Sequence, residues 1–200
     1  MTLSSYDTSL SSRLFTQAFD EHLQVAQESQ ERLKEDFDTL VHIVLTSLQN
    51  GKKILFCGNG GSAADSQHLA TELTVKFKKP RRALPALALT TDTSALTAIG
   101  NDFGFEDIFS RQIEALGDEG DTLIAISTSG TSPNIIKALK MAKDRGLRTI
   151  ALTGGTGGVM KEWADLSLIV PSKTTARIQE IHIFLGQTLI EAVEDAYGWR

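Results

Sequence analysis

His68 and Glu72 stand four residues apart in the stretch CGNGGSAADSQHLATEL, residues 57–73. On a helix that spacing puts an imidazole and a carboxylate on one face, where they can share a metal ion or divide a proton transfer between them. Alone, His-x-x-x-Glu is weak, because it also occurs on ordinary helix surfaces. Its setting adds to it: the run Gly58-Asn59-Gly60-Gly61-Ser62 comes just before. Glycines let backbone N–H groups come close to a ligand at a helix start. Three glycines in four positions exceed what a tight turn needs. Ser62 is expected as the N-cap of the helix, with Asp65 where a capping box places an acid.

A second loop, STSGTSPN at 127–134, carries the hydroxyls of Ser127, Thr128, Ser129, Thr131 and Ser132. Ser132 reads as an N-cap, with Pro133 at the first helical position. Hydroxyls gathered at a helix N-terminus can hold a phosphate without a lysine, through O–H and N–H donors and the helix dipole. A third loop, TGGTGGVM at 153–160, is expected to serve only the backbone. The last helical segment contains RIQEIHIFLGQ, residues 177–187. Its Gln179 and Gln187 fall two turns apart on one broad face and need partners if buried, while His182 points elsewhere. His22 and His42 lie on early helical segments with no evident partner, so structural roles are expected for them.

These residues need a scaffold, and hydrophobic patterning supplies one. Leu33, Phe37, Leu40, Val41, Val44, Leu45 and Leu48 recur at helical spacing, as do Leu14, Phe15, Ala18, Phe19 and Leu23. Two helices therefore precede any strand, and Asn50-Gly51 ends the second. Short apolar runs at 52–58, 85–91, 121–127, 148–154 and 166–171 then read as strands. Helical segments fall at 62–78, 93–99, 105–116, 132–145, 157–164 and 174–196. Such alternation predicts an α/β fold, a five-stranded parallel sheet with helices on both faces. Ligands in such sheets bind beyond the carboxyl ends of the strands, where the three loops lie. Gly58-x-Gly60-x-x-Ala63 also matches a dinucleotide fingerprint. The acidic residue due about 20 positions later is missing, and KKPRR occupies that place. Asp92, at the end of the second strand, comes too late.

With 200 residues, 41% hydrophobic and 22% charged, the chain suits a single globular domain. A net charge of −5 and a pI near 5.4 argue against a surface that coats nucleic acid. The basic cluster Lys76, Lys78, Lys79, Arg81 and Arg82 around Pro80 reads as a solvated loop, or else as a hold for an anionic ligand or partner. Cys57 is the only cysteine, which excludes an intrachain disulfide and fits a reducing compartment. No run of 18 apolar residues occurs, and MTLSSYDTSLSS lacks a basic start before an apolar stretch. No membrane insertion or export is expected, and the location is expected to be cytoplasmic. The middle of the last helix, IHIFL, is apolar on nearly every side, which suggests burial from several directions, as in a subunit interface.

The stretches CGNGGSAADSQHLATEL, AIGNDFGFEDIFSRQIEALGDEGD, ISTSGTSPN, LTGGTGG and RIQEIHI, in this order along nearly the whole chain, resemble the phosphoheptose isomerases of the sugar isomerase (SIS) fold. The resemblance implies one SIS domain over 1–200, with a helical extension at 1–50 and an α/β core with its interface helix at 51–200. It implies interconversion of sedoheptulose 7-phosphate and D-glycero-D-manno-heptose 7-phosphate, the entry to the heptose of lipopolysaccharide or related glycans. It further implies a homotetramer with active sites at subunit interfaces, and no nucleic-acid or membrane partner. By the same resemblance Asn59, Gly60, Gly61 and Ser62 line the sugar, and Asn101 and Asp102 meet its hydroxyls. Ser127, Thr128, Ser129 and Ser132 hold the phosphate. His68, Glu72 and Gln179 ligate zinc; Glu72 and Gln179 also touch substrate, and Glu72 is the base that moves the proton. The family places a histidine eight residues after Gln179, as ligand and acid–base partner. Here that place is Gln187, whose carbonyl oxygen is a weaker zinc ligand and which exchanges no proton near neutrality. A sister group, the DiaA-type proteins that bind the replication initiator, shares the fold without a known enzymatic role and has lost metal-site residues. It supplies the alternative reading.

Overall fold

Strands form where both faces of an apolar run are covered. β1 (Ile54–Gly58), β2 (Ala86–Ala88), β3 (Thr122–Ile126), β4 (Arg148–Gly154) and β5 (Leu166–Val170) make one parallel sheet in the order β2-β1-β3-β4-β5. The helices are α1 (Thr8–Arg32), α2 (Lys34–Gln49), α3 (Gly61–Thr74), α4 (Thr93–Asp102), α5 (Ser110–Leu116), α6 (Pro133–Asp144) and α7 (Thr175–Tyr197). This is a computed structural model, and it describes residues 8–197. Residues 1–7, part of the stretch read for an export signal, lie outside the described residues, as do 198–200.

Strand side chains alternate between two cores, as the two-residue period requires. Ile54, Phe56, Ile124, Ile126, Ile150 and Leu152 face the side covered by α2, α3 and α7. Leu55, Cys57, Leu123, Ala125 and Ala151 face the side covered by α5 and α6. The chain steps from β1 outward to β2 and then back past β1 to β3. The direction of winding thus reverses between β1 and β3, where the connections to α3 and α6 leave toward opposite faces and open a crevice beyond the strands' carboxyl ends.

Several boundaries differ from the sequence reading. The helix expected to reach 78 stops at Thr74, and 75–85 is loop. The backbone N–H groups of Phe77, Lys78 and Lys79 all bond the Glu194 carboxylate on α7, which draws the chain off the helix axis. The basic cluster is solvated only in part: Lys76, Lys78 and Arg82 are exposed, whereas the Arg81 side chain is buried, with only 5% exposed. The segment expected at 105–116 splits into a 3-10 turn, Phe105–Asp107, and α5. The one expected at 157–164 is only a 3-10 turn, Val159–Glu162, because Gly155, Gly157 and Gly158 before it hold positive φ angles. No helix among the described residues is long and apolar enough to cross a membrane.

Candidate active site

The glycine loop opens α3 differently from expectation. Gly60, at φ 56° and ψ −119°, is the N-cap and contributes no side-chain bond. Ser62 lies inside the helix and is buried; its carbonyl accepts the Ser66 hydroxyl at 2.8 Å. Asp65 is no capping-box acid either. It is buried, its Oδ2 lacks a hydrogen-bond partner, and its carboxyl faces Gln179 and His68. Burial raises the Asp65 pKa, while the Gln179 hydrogen bond and the His68 charge offset part of that rise. Gly61 is required for a separate reason: a Cβ there would come within 2.3 Å of the Gln179 amide. The absent side chain lets α7 lay Gln179 against the start of α3.

One turn on, His68 Nε2 is 2.9 Å from Glu72 Oε1. The Gln187 amide nitrogen sits 3.3 Å from His68 Nε2 and 3.4 Å from Glu72 Oε1. Glu72 is mostly buried, with 13% of its side chain exposed, and its Oε2 has no partner. The pairing depends on the close approach of α3 and α7 at Gly186, where a Cβ would meet Leu69 Cδ1 at 2.5 Å. No cluster of three or more His, Cys, Asp or Glu suited to a metal occurs among the described residues, so any cation here must draw on amides. Ligand atoms about 2.1 Å from a tetrahedral ion lie roughly 3.4 Å from each other. The Gln187 spacings of 3.3 and 3.4 Å match that figure once its amide is turned by 180° to present its oxygen, and the 2.9 Å contact between His68 and Glu72 must widen to reach it. The donor set therefore fits a divalent cation, with one imidazole nitrogen where the family pattern has two.

Across the crevice the Ser127 hydroxyl lies 3.0 Å from that of Ser132 and 3.4 Å from that of Ser129. Thr131 donates to Ser129 Oγ from its hydroxyl at 3.1 Å, and Thr128 is half-buried between Ser127 and Ser129. Ser132 is the N-cap of α6 by backbone conformation, but its side chain makes no cap bond, because the hydroxyl turns to Ser127. The third glycine loop braces this one. The Met160 N–H donates to Gly130 O at 3.0 Å, and a Cβ on Gly130, at φ 66°, would come within 2.2 Å of Gly157 O. Asn59 and Asn134 exchange amide bonds at 2.9 Å in both directions, tying the loop after β1 to the start of α6. The Asn59 side chain is thus spent on this brace.

Asn101 and Asp102 are not brought to these groups. They are exposed at the end of α4, which packs on the Phe105–Asp107 turn, and Asn101 Nδ2 donates to Asp102 Oδ1 at 2.7 Å. His182 is fully buried, with Nε2 3.1 Å from Thr153 O, and burial pushes its pKa down to about 4 despite that bond. His42 is exposed. His22, expected to lack a partner, has one: its Nδ1 is 2.8 Å from Glu180 Oε2, which also pairs with Arg177. Sequence reasoning missed Asp65 and Asn134 as site residues. Asp65, His68 and Glu72 share one helix face at i, i+3 and i+7, a signal that the capping reading hid.

Comparison with known proteins agrees with this fold. A family described as "SIS domain" matches residues 17–154. The phosphoheptose isomerase of Aliarcobacter butzleri is 55% identical over 165 residues, 82% of this chain and 87% of that protein. That of Campylobacter jejuni subsp. jejuni serotype O:6 is 52% identical over 184 residues, 92% and 98% of the two chains. The solved structure of phosphoheptose isomerase GmhA from Neisseria gonorrhoeae superposes with a TM-score of 0.87 at 46% identity, covering 93% of this chain and 99% of that one. With the SIS match over more than half of its length and these identities, the chain belongs to the phosphoheptose isomerase family of SIS-domain proteins.

Proposed function

We propose that this protein interconverts sedoheptulose 7-phosphate and D-glycero-D-manno-heptose 7-phosphate, an aldose–ketose isomerisation through an enediolate. The observation that carries it is that Gln187 of α7 meets His68 and Glu72 on the helix that the glycine loop opens, while a hydroxyl cluster suited to phosphate follows β3 at the same end of the sheet. In this reading Ser127, Thr128, Ser129 and Ser132 hold the phosphate, and Gly60, Gly61, Ser62, Gln179 and the backbone of Asn59 line the sugar. Glu72 removes the proton from C1 of the ketose and returns it to C2. Its Oε2, buried and unpartnered, is the oxygen free to do so. His68, Glu72, Gln179 and Gln187 hold zinc. When bound, zinc supplies a Lewis acid for the negative charge that develops on the sugar oxygens. We place the reaction in the cytoplasm, as the entry to lipopolysaccharide heptose or a related glycan. The alternative, a regulator that binds the replication initiator, is not favoured, since relatives at 52–55% identity are named as isomerases. A coupled assay with sedoheptulose 7-phosphate, with and without added zinc, tests the reading; no turnover under either condition would overturn it.

The phosphate role predicts a binding defect. Ser127→Ala and Ser132→Ala should each weaken sugar-phosphate binding about tenfold, within the roughly 1–3 kcal/mol lost with a charge-assisted hydrogen bond. Calorimetry that finds unchanged affinity in the double mutant would remove this loop from the phosphate site.

The active form in this reading is a homotetramer with sites at subunit interfaces. Leu14, Phe15, Phe19 and Leu23 on α1 and Phe184 on α7 are all more than half exposed. An apolar groove of about 610 Å³ runs between α1, α2 and α7, lined by Leu23, Leu33, Phe37 and Phe184 among others. Such continuous apolar surface calls for a covering partner. Sedimentation at micromolar concentration should give the mass of four chains, and a monomer alone would refute the assembly. If the sites complete themselves across subunits, the exposed Asn101 and Asp102 have their role there.

A further inference from the structure

The basic stretch at 76–82 is tied to α7 in a way that its composition hides. Glu194 on α7 accepts backbone N–H groups from Phe77 at 2.7 Å, Lys78 at 2.9 Å and Lys79 at 3.2 Å. Arg81 Nε lies 3.1 Å from Glu194 Oε1, an ion pair with only 5% and 2% of the two side chains exposed, though its angle is too oblique for a hydrogen bond. Burial would raise the Glu194 pKa, but the three N–H donors and the Arg81 charge outweigh it and hold the carboxyl below its usual range. The other end of the Arg81 guanidinium points back at α3. Nη2 donates to the carbonyl of Glu72 at 2.6 Å and Nη1 to that of Leu73 at 2.7 Å. Outside this buried contact, Lys78 pairs with Glu191 and Lys79 with Asp195, both at 2.6 Å.

The place of this contact matters. α3 ends at Thr74, so Glu72 stands in its last turn. Carbonyls of a last helical turn have no intrahelical donor left, and such turns fray unless something binds them. Arg81 binds two of them, sharing the Leu73 carbonyl with the Leu84 N–H and taking that of Glu72, and anchors them through Glu194 to the helix that carries Gln179 and Gln187. The Arg81–Glu194 pair thus adds a clasp at the end of α3 to the Gly186–Leu69 and Gly61–Gln179 contacts between the two helices.

We propose that Arg81, clamped by Glu194, is a positioning residue for Glu72: it keeps the last turn of α3 wound and docked on α7, so that the Glu72 carboxylate stays beside His68 and Gln187. The proposal rests on the isomerase reading given above. Lysine cannot replace this arginine, because a single ammonium cannot reach two carbonyls and a carboxylate at once as the planar guanidinium does.

The test compares Arg81→Lys and Glu194→Gln with the wild type in the intact protein. Steady-state kinetics on sedoheptulose 7-phosphate are measured together with the zinc dissociation constant by chelator competition. Arg81→Lys should lower kcat about tenfold, on the scale by which slight misplacement of a reacting group reduces rate. KM should stay within about twofold, because the phosphate loop borders α6 and is untouched by Arg81. Zinc binding should weaken about fivefold or more, toward the 10- to 100-fold effects of losing an outer-shell support. Glu194→Gln, which keeps an acceptor but removes the charge, should show the same pattern more weakly. A folded Arg81→Lys protein with kcat and zinc affinity both within about twofold of wild type overturns the proposal. If that variant fails to fold, Glu194→Gln carries the comparison under the same criterion. A wild type that binds zinc but does not turn over would overturn the isomerase reading and leave the zinc affinities to decide the role of Arg81. A wild type that does neither would overturn both.

Discussion

Replacing Glu72 with glutamine is expected to lower turnover by a factor of about 100 or more, the usual scale for losing a general base. The substitution keeps the size and polarity of the side chain and removes the basic oxygen. A folded variant is expected, for three reasons. The amide can still meet His68 across the 2.9 Å contact. The bond from Arg81 goes to the Glu72 backbone carbonyl, which the substitution leaves in place. The site is also partly open, since half of the His68 side chain is exposed. KM should change much less than kcat, because the phosphate is held by the hydroxyls of the loop after β3. Assays at saturating sedoheptulose 7-phosphate, with a melting curve as control, check this. Near-normal turnover in a folded Glu72→Gln protein would remove Glu72 from proton transfer.

The second large effect is expected from Gln187→His. The residue is half-buried and its amide is already 3.3 Å from His68 Nε2 and 3.4 Å from Glu72 Oε1, so an imidazole at 187 would project into the same space. Imidazole nitrogen is a better zinc ligand than an amide oxygen. Zinc affinity should rise by about 10- to 100-fold, on the scale by which even outer-shell groups alter metal sites. Turnover should rise as well if proton exchange between the sugar oxygens limits the present rate, since histidine titrates near working pH and glutamine does not. Chelator competition and steady-state kinetics read the two effects separately. Tighter zinc with faster turnover identifies a weakened isomerase whose other parts are in place. No change in either would mean that position 187 serves neither metal nor proton, and would favour a regulatory use of the pocket.

Much of the scaffold was legible in the chain because its signals are local. Short apolar runs marked all five strands, and their alternation with helical segments gave the parallel sheet. The boundaries that failed did so where a distant group intervenes. The expected helix to 78 was cut short by Glu194, which takes the N–H groups of Phe77, Lys78 and Lys79. Ser62 suits an N-cap by residue type, yet Gly60 takes that place, because the chain turns two residues earlier to pass Gln179 over Gly61.

The same division runs through the site. By itself the sequence determined that a histidine and a carboxylate share one face of a helix, and that five hydroxyls crowd one helix start. Both follow from chain geometry, because residues four apart on a helix are neighbours in any fold. Only the tertiary structure decided what those groups meet. Gln187 reaches His68 across 119 residues and His22 reaches Glu180 across 158. Asn59 turns to Asn134, and Arg81 leaves the surface to join Glu194. Such pairings depend on how helices cross and how closely they pack, as at Gly186 against Leu69. Residue type constrains that packing but does not specify it, since a buried polar group can be satisfied by whichever partner the fold delivers to it.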